Sequence, residues 1–381
     1  MTGPALPLHW PRGLDAGLFL RHHWQKEPLL VRGAFPGFAD RLPRARLAAL
    51  ARRDDVESRL ISHVHRRDGD RYTVDHGPLL GRQLARLDRP DATLLVQGIN
   101  LHVPQVQPVL DAFGFIPAAR RDDLMVSDAS PGGGVGPHVD SYDVFLLQAR
   151  GRRLWRIARN FDDTLVEDAP LKLLAGFEAE DEYLLEPGDF LYLPPGIAHD
   201  GIALDACATW SIGFRAPSAG ELLQGWLAFV EDRFEGDQRY ADPDLRLQRS
   251  GAWLSDAFVE RARGLLGAVA FDAQLFERFL GEYLTEPKPQ VRFRAPARLP
   301  SIDAFAARLP DCRVVLAPAS AMLYRGRLAF MNGESRQLAS RSMRSAALLA
   351  DTRVLPPSAQ RDAQWVEALY DWYCSGYILA R

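Results

Sequence analysis

Apolar residues first recur at helical spacing in "LDAGLFLRHHW" and "PRARLAALARR", and between them "EPLLVRGAF" reads as a short apolar strand with polar ends. From "SRLISHVHRRDGDRYTVDHGP" the period changes to short strands punctuated by Gly, Asp and Pro, interrupted by one predicted helix in "NLHVPQVQPVLDAFGFI". Strands then run to about residue 215, in "DLMVSDAS", "YDVFLLQA", "RRLWRIA", "DEYLLEPGDFLYLPP", "GIALD" and "ATWSIGFRA", with the spacing of an all-β barrel or sandwich. After "RAPSAGE" the helical period returns in "ELLQGWLAFVEDRFE", "DAFVERARGLLGAVA" and "DAQLFERFLGEYLTE". "PKPQVRFRAPARLP", with four prolines in fourteen residues, reads as a linker. The last part joins "RVVLAPASAMLYRGRLAFMNGESRQL", whose Asn332-Gly333 favours a tight turn, to predicted helices in "AALLADTRVL" and "AQWVEALYDWYCSGYILA". The expected class is α+β in three parts: a strand-rich unit with N-terminal helices over 1–217, a helical segment over 218–287, and a winged-helix-like domain over 288–381.

Composition narrows the function classes. A chain of 381 residues has room for two or three domains of about 100–200 residues each. No uninterrupted apolar stretch approaches the roughly 20 residues that span a bilayer, so no membrane association is expected. "MTGPALPLHWPRGLD" has no basic segment followed by an apolar one, so no secretion signal is expected and the chain is read as cytoplasmic. Cys207, Cys312 and Cys374 are odd in number and far apart, as suits buried small hydrophobes better than a zinc or redox motif. A formal charge of −3 gives no global attraction to nucleic acid, and direct nucleic-acid binding is not expected.

Candidate chemistry centres on "GGGVGPHVDSYDVF", residues 132–145. In an extended segment His138 and Asp140 share a face, although such a pair alone is more often structural. Three features shift the balance. The glycines allow close backbone approach to a ligand. "EPGDFLYLPPGIAHDG" delivers His199 at the end of an apolar strand, 61 positions downstream. "GRRLWRIA" puts Arg153 and Trp155 on one face of an intervening strand, a fixed cation inside an apolar barrel if not a surface ion pair. Two imidazoles and one carboxylate on one side of a metal leave positions open opposite, as in non-haem Fe(II) oxygenases, although other divalent metals suit the same set. A dianion chelating those positions would need a cation at its far end, and Arg153 would serve.

"PGGGVGPHVDSYDVFLLQ", "GRRLWRI" and "LEPGDFLYLPPGIAH" resemble the JmjC class of Fe(II)- and 2-oxoglutarate-dependent oxygenases, most closely the bacterial ribosomal oxygenases that hydroxylate an arginine of a large-subunit ribosomal protein. "HWQKEPLLVRG", "DDLMVS" and "SIGFRAPSAGEL" extend the resemblance over about residues 8 to 235. It implies a double-stranded β-helix barrel of the cupin-like jelly-roll kind, a helical dimerisation segment with a homodimer, and a winged-helix-like end. It also implies His138, Asp140 and His199 as Fe(II) ligands, Arg153 on the distal carboxylate of 2-oxoglutarate, Ser127 as a polar contact in the same pocket, and O2 as co-substrate. An arginine substrate needs a carboxylate and an apolar or aromatic wall. Asp122 or Asp123, with Met125 and Tyr142, are candidates, Tyr142 by alternation with His138 and Asp140; the competing reading leaves Met125 and Tyr142 in the core and Asp123 solvated. Asp128 stands where an apolar residue is expected, and Asp143 has no assigned role. Two alternatives stay open: a hydroxylase of a histidine or asparagine in another protein, and a non-catalytic cupin-like regulatory or nucleic-acid-binding protein.

Overall fold

The structure, a computed structural model, describes residues 6–64, 71–233, 239–243, 254–266, 273–357 and 362–381. His65 and residues 267–270 of the second predicted middle helix lie outside the described residues. The strand-rich unit contains β1 (Leu29–Val31), β2 (Ser58–Val64), β3 (Arg71–His76), β4 (Ala92–Val96), β5 (Arg121–Ala129), β6 (His138–Val139), β7 (Asp143–Arg150), β8 (Arg153–Ala158), β9 (Asp181–Leu185), β10 (Phe190–Leu193), β11 (Ala198–Ala203) and β12 (Cys207–Phe214). They form two antiparallel sheets, one in the order β1-β10-β7-β12-β5-β4-β2-β3 and one in the order β6-β11-β8-β9. This is the double-stranded β-helix that the resemblance implies, within the barrel or sandwich that the strand spacing predicts.

Alternation decides what each face of the large sheet meets. Phe145, Leu147, Phe190, Tyr192, Trp210, Ile212 and Phe214 share a core with Phe19, Leu47 and Phe113 of the N-terminal helical segments. Their neighbours Val144, Leu146, Leu191 and Leu193 join Trp155, Ile157 and Leu185 of the small sheet in a second core. The remaining inward positions of the large sheet include the buried polar residues Asp123, Ser127, Gln148, Thr209 and Ser211. A polar strip inside an otherwise apolar sandwich is where a ligand site can form.

Three predicted elements differ in form, one of them "AALLADTRVL", whose helix ends at Thr352 before the strand Val354–Leu355. "NLHVPQVQPVLDAFGFI" is broken into Ile99–His102, a 3-10 turn at Pro104–Val106 and Gln107–Ala112, because Pro104 and Pro108 supply no N–H to a continuous helix. The end of "AQWVEALYDWYCSGYILA" is a strand: the helix Ala363–Cys374 stops before Gly376, which adopts φ +76, and Ile378–Ala380 pairs with Val314–Leu316.

The helix Ala219–Glu231 is opened by a capping box, in which Glu221 N–H donates to Ser218 Oγ at 3.1 Å and Ser218 N–H to Glu221 Oε2 at 2.7 Å. Its Trp226 and Phe229 pack with Phe279 of the helix Ala273–Thr285. The C-terminal core gathers Phe305, Trp365, Leu369 and Trp372. Asn332 and Gly333, at φ 50 and 87, make the expected tight turn between strands Leu328–Met331 and Glu334–Gln337.

Candidate active site

Pairing of β6 with β11 sets His138 directly opposite His199, with ring centroids 4.3 Å apart. Strand β6 ends at Val139, so Asp140 sits in the bend that follows rather than on a continuing strand. There Gly196 N–H donates to its carbonyl at 3.0 Å. Asp140 Oδ1 lies 3.9 Å from His138 Nε2, and Oδ2 lies 3.6 Å from His199 Nε2. One donor atom from each of the three residues falls within 4.8 Å of the others, and no other such group of three or more occurs among the described residues.

Both imidazoles are oriented from behind. The Nδ1 of His138 is 2.8 Å from the carbonyl of Gly136, and that of His199 is 3.0 Å from the carbonyl of Ile197. With Nδ1–H donating to those carbonyls, each ring turns its Nε2 toward Asp140. Burial, then the neighbouring His138, push His199 down to about 4, so its imidazole is neutral at neutral pH. Two oriented imidazoles and a carboxylate suit a divalent metal of the Fe(II) type.

The register of β11 against β8 pairs His199 with Ile157, Gly201 with Trp155 and Ala203 with Arg153. Arg153 therefore lies on the same inner face as His199, about 13 Å along the strand at roughly 3.3 Å per residue. Arg153 is 2% exposed, and its Nε has no hydrogen-bond partner. Its neighbours are weak: Nη2 is 3.6 Å from Cys207 Sγ, and the guanidinium lies 5.7 Å from the Trp155 ring. No carboxylate reaches it at ion-pair distance among the described residues. A buried cation without an anion is costly, so the arrangement fits an anionic ligand.

Between the metal donors and Arg153 lies Trp155, 5.9 Å from the His199 ring, with its Nε1 buried and unpartnered. A side chain on Gly201 would come within 2.6 Å of that ring. Only glycine leaves the indole room there. The donor set, the solitary guanidinium and the span between them together fit a metal chelated by a 2-oxo dicarboxylate.

Ser127 lies on the inner face of β5, buried, and its hydroxyl donates to the Thr209 carbonyl at 3.4 Å. Met125, opposite Ser211 on β12, is half-buried. Tyr142 is 40% exposed at the mouth; burial, then Asp140, push its phenol up, so it stays protonated. It reaches this place from the bend before β7, not by strand alternation. Asp123 is 8% exposed and accepts from Gly98 N–H at 3.1 Å. It is not solvated, and Lys288, which no motif or periodicity points to, lies 3.5 Å from it. Thr209, Ser211 and Gln148 were also missed, though the alternation in "CATWSIGF" puts Thr209 and Ser211 on one face.

Two acids that looked out of place are structural. Asp128 faces away from the site and pairs with Arg44 at 2.6 Å and with Arg150. Asp143 accepts from Tyr192 Oη at 2.6 Å, Arg120 at 3.0 Å and Gln25 at 3.0 Å.

Residues 108–222 match the JmjC domain family, and residues 268–378 match the ROXA-like winged helix. The ribosomal protein uL16 3-hydroxylase of Escherichia coli is 35% identical over 294 residues, which is 76% of this chain and 75% of that one. The chain belongs to the JmjC ribosomal oxygenases. Another relative of this oxygenase is a probable ribosomal oxygenase of Haemophilus influenzae, 35% identical over 62% of this chain and 56% of its own. The crystal structure of E. coli YcfD superposes with a TM-score of 0.88 at 31% identity, covering 98% of this oxygenase and all of YcfD. A second YcfD structure, a ribosomal oxygenase in complex with cobalt and 2-oxoglutarate, matches at a TM-score of 0.84 and 31% identity. Among the described residues, no helix of this oxygenase is long and apolar enough to cross a membrane.

Proposed function

We propose that this chain is an Fe(II)- and 2-oxoglutarate-dependent dioxygenase that hydroxylates an arginine side chain of the large-subunit ribosomal protein uL16. The observation that carries the reading is the pairing of an oriented His138, Asp140 and His199 set with a buried guanidinium, Arg153, that has no anion of its own. Similarity to the E. coli uL16 3-hydroxylase supplies the substrate class.

In this reading His138, Asp140 and His199 hold the metal from one side, and their fixed Nδ1 donors keep the Nε2 lone pairs aimed at it. Fe(II), when bound with 2-oxoglutarate and O2, supplies the oxidising power for C–H hydroxylation, with succinate and carbon dioxide as co-products. Arg153 pairs with the distal carboxylate of 2-oxoglutarate, and Ser127 adds a polar contact on the opposite wall. Trp155 closes that cavity against water. Asp123 receives the substrate guanidinium while Met125 and Tyr142 flank its stem. The test is succinate formation from 2-oxoglutarate that depends on a uL16 fragment and on Fe(II). Succinate formation indifferent to the fragment counts against the substrate.

We divide the chain into a JmjC unit over 1–217, a helical segment over 218–287 and a winged-helix-like domain over 288–381, with the helix Ala273–Thr285 as the joint between the last two. Leu223 and Leu227, one turn apart on the helix Ala219–Glu231, are 53% and 57% exposed, while Trp226 and Phe229 are spent inside the chain. That exposed pair suits a homodimer contact. Light scattering should give twice the 42.5 kDa of one chain; a mass of one chain removes the dimer. Action on a ribosomal protein puts the enzyme in the cytoplasm.

A further inference from the structure

The acid pair at the mouth of the site already holds a cation of this chain. Lys288 Nζ lies 2.9 Å from Asp122 Oδ1 and 3.5 Å from Asp123 Oδ2. Adjacent residues of a regular strand point to opposite faces, so two consecutive carboxylates do not normally reach one ammonium. Here β5 pairs Leu124 with Ile212 but Arg121 with Phe214, so Asp122 and Asp123 together oppose the single residue Gly213. This bulge re-aims the pair toward a common point.

The lysine is delivered with equal care. It sits between Pro287 and Pro289 in "EPKP", after the helix Ala273–Thr285, and Pro289 keeps the lysine backbone out of the helical region. The helix end is tied by Gly333 N–H, which donates to Thr285 Oγ1 at 3.0 Å, and Lys288 opens a turn closed by Val291 N–H donating to its carbonyl at 2.9 Å. Only three lysines occur among 46 basic residues, and the other two, Lys26 and Lys172, lie in other parts of the chain.

We propose that Lys288 is a specificity-determining residue: its ammonium occupies the guanidinium subsite formed by Asp122 and Asp123, and a substrate must present a cation that competes with it. The proposal rests on the arginine hydroxylase reading for the identity of the substrate. An ammonium offers a point charge, whereas a guanidinium offers a planar fork that can bind two carboxylate oxygens at once. Arginine therefore displaces Lys288 where a neutral side chain cannot, and the subsite is never left as two uncompensated carboxylates. Burial, first, still raises the Asp123 carboxyl above its ordinary value although Lys288 opposes this. The acid is short of positive charge even with the lysine in place.

The test compares wild type, Lys288→Met and Lys288→Arg. Binding of an arginine-containing uL16 fragment is measured by calorimetry on metal-free protein, and KM and kcat on the Fe(II)-loaded enzyme. Lys288→Met should bind the fragment about fivefold more tightly, the scale of one partly exposed ion pair, with KM lowered in proportion and kcat unchanged. It should also turn over a fragment whose target arginine is replaced by citrulline better than wild type does. Lys288→Arg should bind no more tightly than wild type. Unchanged or weaker binding by Lys288→Met, or tightening by Lys288→Arg equal to that of Lys288→Met, overturns the proposal. Absence of turnover in wild type counts against the hydroxylase reading instead, and the binding comparison decides the role of Lys288 without it.

Discussion

Replacing Arg153 by Met separates a ligand-binding role from a structural one, because the two roles predict opposite signs in two assays. Met keeps most of the length of the stem and removes the charge. Arg153 is 2% exposed, with an unpartnered Nε, a 3.6 Å contact to Cys207 Sγ and a 5.7 Å approach to the Trp155 ring. The ring interaction is worth about 0.5–1 kcal/mol, more if desolvated, and the sulfur contact less. Against that stands the cost of burying a guanidinium with no anion, which is still several kcal/mol after relaxation. Without 2-oxoglutarate, Arg153→Met should therefore melt at the wild-type temperature or above it. With 2-oxoglutarate the sign reverses, since truncating one partner of a buried charge pair costs about 2–5 kcal/mol. At roughly 1.4 kcal/mol per tenfold, a mid-range loss weakens 2-oxoglutarate binding by a hundredfold or more. Differential scanning fluorimetry with Mn(II), with and without 2-oxoglutarate, reads both effects, and the KM for 2-oxoglutarate gives an independent measure. A variant that melts well below wild type yet keeps its 2-oxoglutarate KM would make Arg153 a structural residue and not a ligand-binding one.

Other predictions follow from the same geometry. His138→Ala and His199→Ala should each weaken Mn(II) or Co(II) binding by more than the roughly 10–100-fold that loss of an outer hydrogen-bond partner costs; calorimetric affinities equal to wild type would remove those residues from the metal site. Gly201→Ala puts a methyl group where 2.6 Å now separates an ideal Cβ from the Trp155 ring, so it should raise the KM for 2-oxoglutarate, and an unchanged KM with an intact fold means the ring does not border that cavity. Burial, first, raises the Asp40 carboxyl above its ordinary value despite the Leu42 N–H and Arg150. A folded-state value above the unfolded one makes the charged form costly at neutral pH, a cost that vanishes as pH falls through the folded value toward the unfolded one. Asp40→Asn, which leaves Arg150 paired with Asp128, should thus gain stability over wild type near neutrality and lose that gain in acid; a gain that grows as pH falls contradicts the assignment.

Much of the fold was legible because its cues are local. The apolar run of "YDVFLLQA" and the alternation of "ATWSIGFRA" declare strands; in β7 and β10 the two faces feed two different cores, while β12 gives one face to the core and the other to Thr209 and Ser211. His138 and His199 were legible because each ends a recognisable glycine- or proline-marked segment, and their pairing across β6 and β11 needed only the barrel. Alternation puts Tyr142 on the face of Asp140, but the strand stops at Val139 and a bend at 141–142 carries the tyrosine there instead. Asp128 and Asp143 looked anomalous because their arginine partners, Arg44, Arg150 and Arg120, come from other segments. Lys288 was invisible for a stronger version of that reason. Its partners lie on β5, far back in the chain, and both reach it only through a bulge that no periodicity announces.

Hydroxylation of a ribosomal-protein arginine can be read from the product itself: the protein is incubated aerobically with Fe(II), 2-oxoglutarate and a uL16 fragment, and any added mass is located by fragmentation spectra. A gain of one oxygen atom on a single arginine is expected, lost with His138→Ala or under nitrogen. An unmodified fragment with fully metal-loaded protein, or oxygen placed on a histidine or asparagine, would contradict it.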